Sequence, residues 1–408
     1  MKQFFTFCLL SIYSISSYAQ GDCTGGRYTD YNLFSAVDVT SDVVFGNNVA
    51  LGGGNVDLKM DIYAPQGDTE TNRAVIIMAF GGSFIGGAKE DVAFMCNILA
   101  KMGYVAIAPD YRVGFFLPNE VTTTAAVMRG MHDLNGCIRY LKKSANEDGN
   151  PYGIDCERII AGGISAGAIS AIHAGYFDKI SEVPSYMAND TAGLGGVEGN
   201  SGTPNYVSDP LGVLSFSGAI GDTSWIEEGD PAIISIHEED DNVVPYLTQE
   251  VAVSGIPTGL VASGSGHIHL RAANVGVENE LKSYPGVQNH VGYLNPIDQT
   301  ALDIATTFLA DLVCSGETNS CTPTSSSTGV KGIENVTFST YPNPATDVLK
   351  FETDHTGTVE VIDAMGRTVL STLASIGQNQ LDVTDLPRGA YVLMFRGTTI
   401  GRARFIKE

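Results

Sequence analysis

Basic residues are scarce in this chain of 408 residues. Lysine and arginine together number 23 against 46 aspartates and glutamates, which gives a formal net charge of −23. A surface of this sign repels phosphate backbones and anionic headgroups, so nucleic acid and anionic lipid are disfavoured as partners. The charge predicts a well-solvated protein instead.

Long apolar segments are also lacking. The apolar stretch at residues 4–12 is shorter than the roughly 20 residues that a bilayer requires, and no later segment is long and apolar enough to span one. The stretch follows Lys2 and precedes small residues with a cleavage point after Ala19, as in secretory signal peptides. We therefore expect residues 1–19 to be removed and the protein to be exported without a membrane span.

Cysteines are few. Of the seven, Cys8 lies in the predicted signal peptide, and the remaining even number in an exported chain favours disulfides over metal ligation or thiol catalysis. Spacing alone does not fix the pairing. Near-neighbour pairing predicts Cys137–Cys156 and Cys314–Cys321, which leaves Cys23 for Cys96.

A phosphate-binding loop is missing as well. The glycine run at residues 52–54 is followed neither by Gly-Lys-Ser/Thr nor by a helical pattern, so it predicts a turn in an opening β-hairpin over residues 43–65. The sequence implies no metal and no cofactor.

Short apolar runs then alternate with helical stretches. The runs are residues 74–80, 104–108, 158–161, 213–217 and 232–237, and the helical candidates are residues 91–102, 121–144, 166–177, 246–254 and 297–313. Such alternation is typical of a parallel sheet covered by helices. We predict a doubly wound, mostly parallel α/β domain over residues 20–313.

The remainder of the chain has a different composition. Residues 314–332 are rich in serine and threonine, which predicts a linker. Residues 333–408 contain short alternating segments separated by turn residues, which predicts a small all-β, Ig-like sandwich.

One serine lies in a reactive setting. The motif Gly163-Ile-Ser165-Ala-Gly167 follows a predicted strand and opens a predicted helix. A sharp strand-to-helix turn with small neighbours presents the serine hydroxyl above the sheet, and the helix N-terminus favours developing negative charge. Ser165 is thus the predicted nucleophile.

A long glycine-rich insertion, residues 178–210, follows the predicted helix after Ser165. We interpret it as a lid over the site rather than as a disordered loop.

With this motif, residues 58–313 resemble the α/β-hydrolase superfamily, in its carboxylesterase and lipase branches. The family's His-Gly-Gly-Gly oxyanion loop corresponds to Phe80-Gly-Gly-Ser-Phe84, in which Phe80 replaces the usual histidine. The resemblance implies an oxyanion hole formed by the backbone N–H groups of Gly82, Ser83 and Ala166.

The same resemblance implies the two partners of the serine. The segment His237-Glu-Glu-Asp-Asp241-Asn-Val-Val-Pro245 is similar to the family's acid loop, which makes Asp241 the acid, with Asp240 as its competitor. The segment Tyr284-Pro-Gly-Val-Gln-Asn-His290 is similar to the family's histidine element. His290 is therefore the expected base, ahead of His267 and His269.

The C-terminal segment resembles the sorting domain of the type IX secretion system. The resemblance rests on Tyr341-Pro-Asn-Pro344, Val361-Ile-Asp-Ala-Met-Gly-Arg367 and Leu386-Pro-Arg-Gly-Ala-Tyr-Val392. It implies a partnership with that machinery and a final location outside the cell or on its surface. A carbohydrate-binding or adhesive sandwich is the alternative.

The combined features predict an exported carboxylic ester hydrolase, an esterase or lipase that acts through an acyl-enzyme. Its expected substrates are small or polymeric esters, with acyl or aromatic groups, glycerides or polyesters as candidates. Phe84 and Trp225 are predicted to contact the substrate. A peptidase of the same fold and a catalytically inactive adhesion module are the alternatives.

Overall fold

The computed structural model describes most of the chain in two compact units, residues 1–329 and residues 330–408. The predicted signal peptide lies outside the described residues, as does most of the predicted linker. The described ranges are residues 23–115, 117–187, 195–253, 255–316, 321–323, 335–336, 340–353, 357–363, 368–397 and 400–408.

Strands and helices alternate in the first unit. Its strands are β1 (Val37–Val49), β2 (Asn55–Pro65), β3 (Arg73–Ala79), β4 (Val105–Pro109), β5 (Ile154–Ile164), β6 (Gly212–Phe216), β7 (Ala219–Ile220), β8 (Ala232–Glu238), β9 (Thr248–Val253), β10 (Ile256–Gly264) and β11 (Asn279–Tyr284). Its helices are α1 (Ala93–Lys101), α2 (Glu120–Asn146), α3 (Ala166–Tyr176), α4 (Ser265–Val275) and α5 (Gln299–Cys314).

The main sheet has eight strands in the order β1-β2-β4-β3-β5-β6-β8-β11. The pairs β1/β2 and β2/β4 are antiparallel, and every pair from β4 to β11 is parallel. Strands β6 and β8 are buried along their whole length, which agrees with their mostly apolar sequences. The predicted fold class, a mostly parallel α/β sheet, is confirmed.

The order of the strands fixes where loops meet. The chain runs from β3 to β4 on one side and then returns to β5 on the other side of β3, so the direction of winding reverses between β3 and β5. Ligands of open α/β sheets bind beyond the carboxyl ends of the strands at such a reversal. The loops after β3 and β5 therefore converge at one edge of the sheet.

The predicted helix at residues 246–254 is wrong. Residues 248–253 form β9, which pairs antiparallel with β10 in a separate three-stranded sheet, β7-β10-β9. Gly255 adopts a φ of +77° in the turn between β9 and β10, a conformation that suits glycine and closes a hairpin. Pairing with β10 determines that this segment is a strand, and the local sequence does not reveal that pairing.

The expected cysteine pairs are also wrong. Disulfides join Cys23 to Cys314 and Cys156 to Cys321, with Cα–Cα distances of 5.9 and 5.6 Å. Cys96 and Cys137 are unpaired because their side chains face the core, where the Cys137 sulfur lies 3.6 Å from that of Met60. The bonded cysteines are 291 and 165 residues apart, so proximity in sequence misleads.

Replacing Cys23 and Cys314 together with alanine is expected to lower the free energy of unfolding by about 2–5 kcal/mol. The bond closes a 291-residue loop and so restricts the unfolded chain. Urea unfolding of the full chain, followed by circular dichroism, measures the change. Cys96→Ala leaves both disulfides intact and serves as the control; equal midpoints for the double variant and the wild type would contradict the stabilising role.

The second unit consists of two sheets around a shared core. The strands are β12 (Asn335–Val336), β13 (Thr340–Tyr341), β14 (Val348–Thr353), β15 (Gly357–Ile362), β16 (Thr368–Ala374), β17 (Gly377–Asp382), β18 (Gly389–Gly397) and β19 (Ile400–Lys407). They form sheets in the orders β12-β19-β18-β15-β16 and β13-β14-β17. Inward side chains of both sheets, among them Phe351 and Phe395, are buried in one cluster. This arrangement agrees with the predicted all-β tail.

Candidate active site

Ser165 occupies the turn between β5 and α3. Its φ of 55° and ψ of −118° place a non-glycine residue in a strained conformation, which is typical of a nucleophile at such a turn. A β-carbon at Gly163 would collide with the backbone of Gly167, and one at Gly167 would collide with Ala79 in β3. Glycine at both positions therefore permits the close approach that presents the Ser165 side chain, which is 6% exposed.

His290 contacts the serine from the loop after β11. Its Nε2 lies 2.8 Å from Ser165 Oγ, and its Nδ1 lies 2.7 Å from Asp241 Oδ2. His290 is 125 positions from Ser165 and 49 positions from Asp241 in the chain. The parallel strands β5, β6, β8 and β11 are neighbours in the sheet, which brings the loops that carry the three residues to the same edge. The structure thus brings together the predicted nucleophile, base and acid.

Asp241 lies in the loop after β8 with a fully buried side chain. Its Oδ1 accepts hydrogen bonds from the N–H groups of Val243 and Val244 at 2.8 and 3.0 Å. Burial alone would raise the pKa of Asp241, but hydrogen bonds from His237, His290 and Val243 outweigh it and hold this pKa well below its usual range. The carboxylate is therefore ionised wherever the histidine acts as a base.

His237 is a second histidine beside the acid, and the sequence had not marked it as functional. It is fully buried at the end of β8, with Nε2 at 3.3 Å from Asp241 Oδ2 and Nδ1 at 2.9 Å from Ser265 Oγ. Its short separation from Asp241 within one acid loop is the signal that could have revealed this contact. His237 supports the acid and does not contact Ser165.

The loop after β3 faces Ser165 from the neighbouring strand. Gly82 and Ser83 have φ values of +126° and +55°, and Ser83 and Ala166 border the same cavity as Ser165. Phe80, which replaces the histidine of the family, stacks on Tyr111 with ring centroids 4.2 Å apart, while the Tyr111 hydroxyl donates to the Phe80 carbonyl at 2.8 Å. An aromatic pair therefore fixes this loop.

The competing residues lie elsewhere. Asp240 is exposed beside Asp241. His267 Nδ1 lies 2.6 Å from Thr248 Oγ1, and His269 Nδ1 lies 3.0 Å from Asn279 Oδ1. No hydrogen bond among the described residues links any of the three to Ser165.

A cavity of about 860 Å³ opens beside Ser165. Both predicted contact residues, Phe84 and Trp225, line it. Sequence analysis missed most of the other apolar wall residues, which come from α2, α3 and the β9–β10 hairpin: Val127, Met128, Met131, Ile169, Phe177, Val251, Val253 and Leu260. Their spacing on helices is also that of core residues, so the sequence carries no signal that separates the two roles.

Two ionisable groups that line this cavity, His173 and Glu182, have pKa values shifted by burial. Burial lowers the pKa of His173 to about 4, so a neutral imidazole lies at the wall beside Trp225, with ring centroids 5.8 Å apart. Burial raises the pKa of Glu182 to about 7, although N–H donation from Lys179 and Asp178 opposes the shift. Lys179 in turn pairs with Glu227 at 2.5 Å.

The insertion predicted as a lid has two parts. Residues 179 and 181–186 border the cavity, while residues 188–194 lie outside the described residues. Farther along, Glu198 pairs with Arg139 at 2.9 Å and Asp209 with Lys142 at 2.6 Å, which anchors this end on α2.

No cluster of three or more histidine, cysteine or acidic side chains in the described ranges has the geometry of a metal site. None of the helices described there is both long and apolar enough to cross a bilayer.

The first unit has a mostly parallel α/β fold in which Ser165, His290 and Asp241 meet at one edge of the sheet. Residues 60–203 match the BD-FAE family model, and residues 339–406 match the model of the secretion system C-terminal sorting domain. The chain is thus similar to one known family within its first unit and to a secretion sorting domain in its second unit, and such a sorting tail indicates secretion or attachment to the cell surface.

Solved structures similar to this chain include those of esterase 2 from Thermogutta terrifontis. The paraoxon-phosphorylated form is 22% identical, with 68% of this chain and 95% of that chain covered and a TM-score of 0.48. The native form is 22% identical, with 65% and 91% covered and a TM-score of 0.46. No curated protein matches the chain.

Proposed function

We propose that this protein is an exported serine hydrolase that cleaves carboxylic esters through an acyl-enzyme. The observation that carries the proposal is the continuous hydrogen-bonded chain from Asp241 through His290 to Ser165 at the edge of an apolar cavity. A catalytically inactive adhesion module has no need for such a chain, which favours the enzyme over that alternative.

The mechanism assigns one task to each member. Ser165 Oγ attacks the ester carbonyl carbon while its proton passes to His290 Nε2, and Asp241 stabilises the resulting imidazolium. The N–H groups of Gly82, Ser83 and Ala166 are the proposed donors to the oxyanion. His290 then gives its proton to the departing alcohol. In the second half of the reaction, His290 takes a proton from water, the water attacks the acyl carbonyl, and Ser165 leaves and regains its proton.

The walls of the cavity point to the class of ester. Methionine, aromatic and aliphatic side chains dominate the surface next to Ser165, whereas Glu120, Asp222 and Glu227 are acidic groups at its border. Apolar walls favour an uncharged hydrophobic group, and acidic neighbours disfavour anionic substrates. Acyl and aromatic esters, glycerides and polyester segments all meet this requirement.

The domain organisation is part of the proposal. Residues 1–19 act as the signal peptide, residues 20–313 as the hydrolase, residues 314–332 as the linker and residues 333–408 as the type IX sorting domain. Within the proposed lid, residues 178–210, residues 179 and 181–186 border the cavity.

Esters of p-nitrophenol with graded acyl length test this function. We expect the protein to hydrolyse them, and Trp225→Ala to lower kcat/KM about 10-fold for the longest acyl groups but little for acetate, because Trp225 supplies apolar wall area beside Phe177 that a long acyl chain can cover. Phe94→Ala, which removes an exposed aromatic ring outside the cavity, is the matched control. Failure to hydrolyse any ester while cleaving peptide amides would favour the peptidase alternative.

A further inference from the structure

Glu238 is a buried carboxylate that the mechanism above does not use. It is the last residue of β8, is 1% exposed, and lies three positions before Asp241. Its Oε2 accepts a hydrogen bond from the N–H of Val291 at 3.0 Å, and its Oε1 accepts one from the N–H of Gly292 at 2.7 Å. Each oxygen thus binds one backbone donor of the loop that follows β11.

Those two donors belong to the residues directly after His290. A buried carboxylate is costly unless hydrogen bonds compensate for lost water, so the two N–H contacts account for its presence. The hydroxyl of Ser217 is a third neighbour, at 3.5 Å from Oε2. The carboxylate therefore acts on the backbone that carries the base.

The backbone at this point needs such support. Val291 has a φ of +51°, in the left-handed region that a β-branched side chain disfavours. Strained conformations of this kind persist only where the surroundings determine them. A β-carbon at Gly292 would collide with the Asn289 side-chain amide and would also lie 3.1 Å from Glu238 Oε1, so glycine suits this crowded position.

Glu238 is connected to the acid as well. Its carbonyl oxygen accepts a hydrogen bond from the N–H of Asp241 at 3.3 Å, at the start of the turn that places the Asp241 side chain. One residue therefore contacts the local backbone of both Asp241 and His290.

We propose that Glu238 is a positioning residue that holds His290 in line between Asp241 and Ser165. This inference rests on the proposed function, since it assumes that the three residues act as a triad. A displacement of about 1 Å in a catalytic side chain lowers rates roughly 100-fold. Loss of the two hydrogen bonds from Glu238 to the His290 loop should therefore reduce kcat with little effect on substrate binding.

The test compares Glu238→Gln and Glu238→Ala with the wild type in full-length protein. Glutamine keeps the shape but offers one acceptor oxygen for two N–H donors, and alanine offers none. We expect kcat per active site to fall about 10-fold for glutamine and about 100-fold for alanine, with KM within about 2-fold of the wild type. Active sites are counted by titration with a fluorophosphonate, which removes the effect of misfolded molecules.

Glu239→Gln is the matched control. Its carboxylate accepts from the Ser283 hydroxyl at 2.7 Å, and no hydrogen bond among the described residues joins it to the loop that carries His290, so kcat should stay unchanged. A kcat per active site that rises from the alanine variant to the glutamine variant to the wild type supports a positioning role. Two results would overturn the inference by making the role of Glu238 structural only: fewer titratable active sites with an unchanged kcat per site, or variants that do not fold. The proposed function is tested separately, because it fails only if the wild type itself lacks ester hydrolysis.

Discussion

Replacing Ser165 with alanine is expected to lower kcat for ester hydrolysis by at least about 10⁴-fold. The variant loses the only oxygen within hydrogen-bonding distance of His290 Nε2 in the described part of the site, so no acyl-enzyme can form. Steady-state rates on the best p-nitrophenyl ester measure the loss, and the melting temperature reports whether the fold is intact.

Ser170→Ala is the matched control for this experiment. Ser170 lies on α3, the helix that begins directly after Ser165, and its hydroxyl donates to the Ala166 carbonyl at 3.1 Å. We expect this variant to keep most of the activity. Comparable rates for Ser165→Ala and the wild type would show that hydrolysis occurs elsewhere on the protein.

Replacing Asp241 with asparagine should lower kcat on the order of 10⁴-fold. The carboxylate accepts from His290 Nδ1 at 2.7 Å and so fixes the ring with Nε2 free to take the serine proton. The amide group can donate toward Nδ1 and select the opposite tautomer, while it cannot stabilise the imidazolium. Rates measured over a range of substrate concentrations give kcat and KM separately and so distinguish this loss from a change in substrate binding.

Asp240→Asn is the matched control for the acid. The side chain of Asp240 is exposed and the two residues are adjacent, so both variants remove one negative charge from the same loop. We expect Asp240→Asn to retain near wild-type kcat. The reverse result, with Asp240 essential and Asp241 dispensable, would reassign the acid.

The sequence predicts the elements of the site that depend on local pattern. Gly163 and Gly167 mark a turn that only small residues permit, and the short runs 74–80, 158–161 and 232–237 predict strands because they are mostly apolar. The placement of Asp241 and His290 came from resemblance to a family, since no local property reveals that residues 49 positions apart are in contact.

The features that the sequence did not predict depend on contacts with residues outside the segment concerned. The β9–β10 hairpin forms because its strands pair with each other and with β7, whereas the same residues taken alone suggest a helix. The pairing of Cys23 with Cys314 depends on where the ends of the first unit meet. The role of Glu238 was also missed. Its place in an acidic segment gives no sign that its carboxylate accepts hydrogen bonds from two N–H groups of another loop.

Covalent labelling tests the central claim most directly. The protein is treated with a fluorophosphonate, digested, and analysed by mass spectrometry, with Ser165→Ala and His290→Ala treated in parallel. The account predicts a single adduct on the peptide that contains Ser165, absent from Ser165→Ala and formed far more slowly in His290→Ala, because the histidine activates the hydroxyl. Labelling at another serine, or equal rates in wild type and His290→Ala, would contradict it.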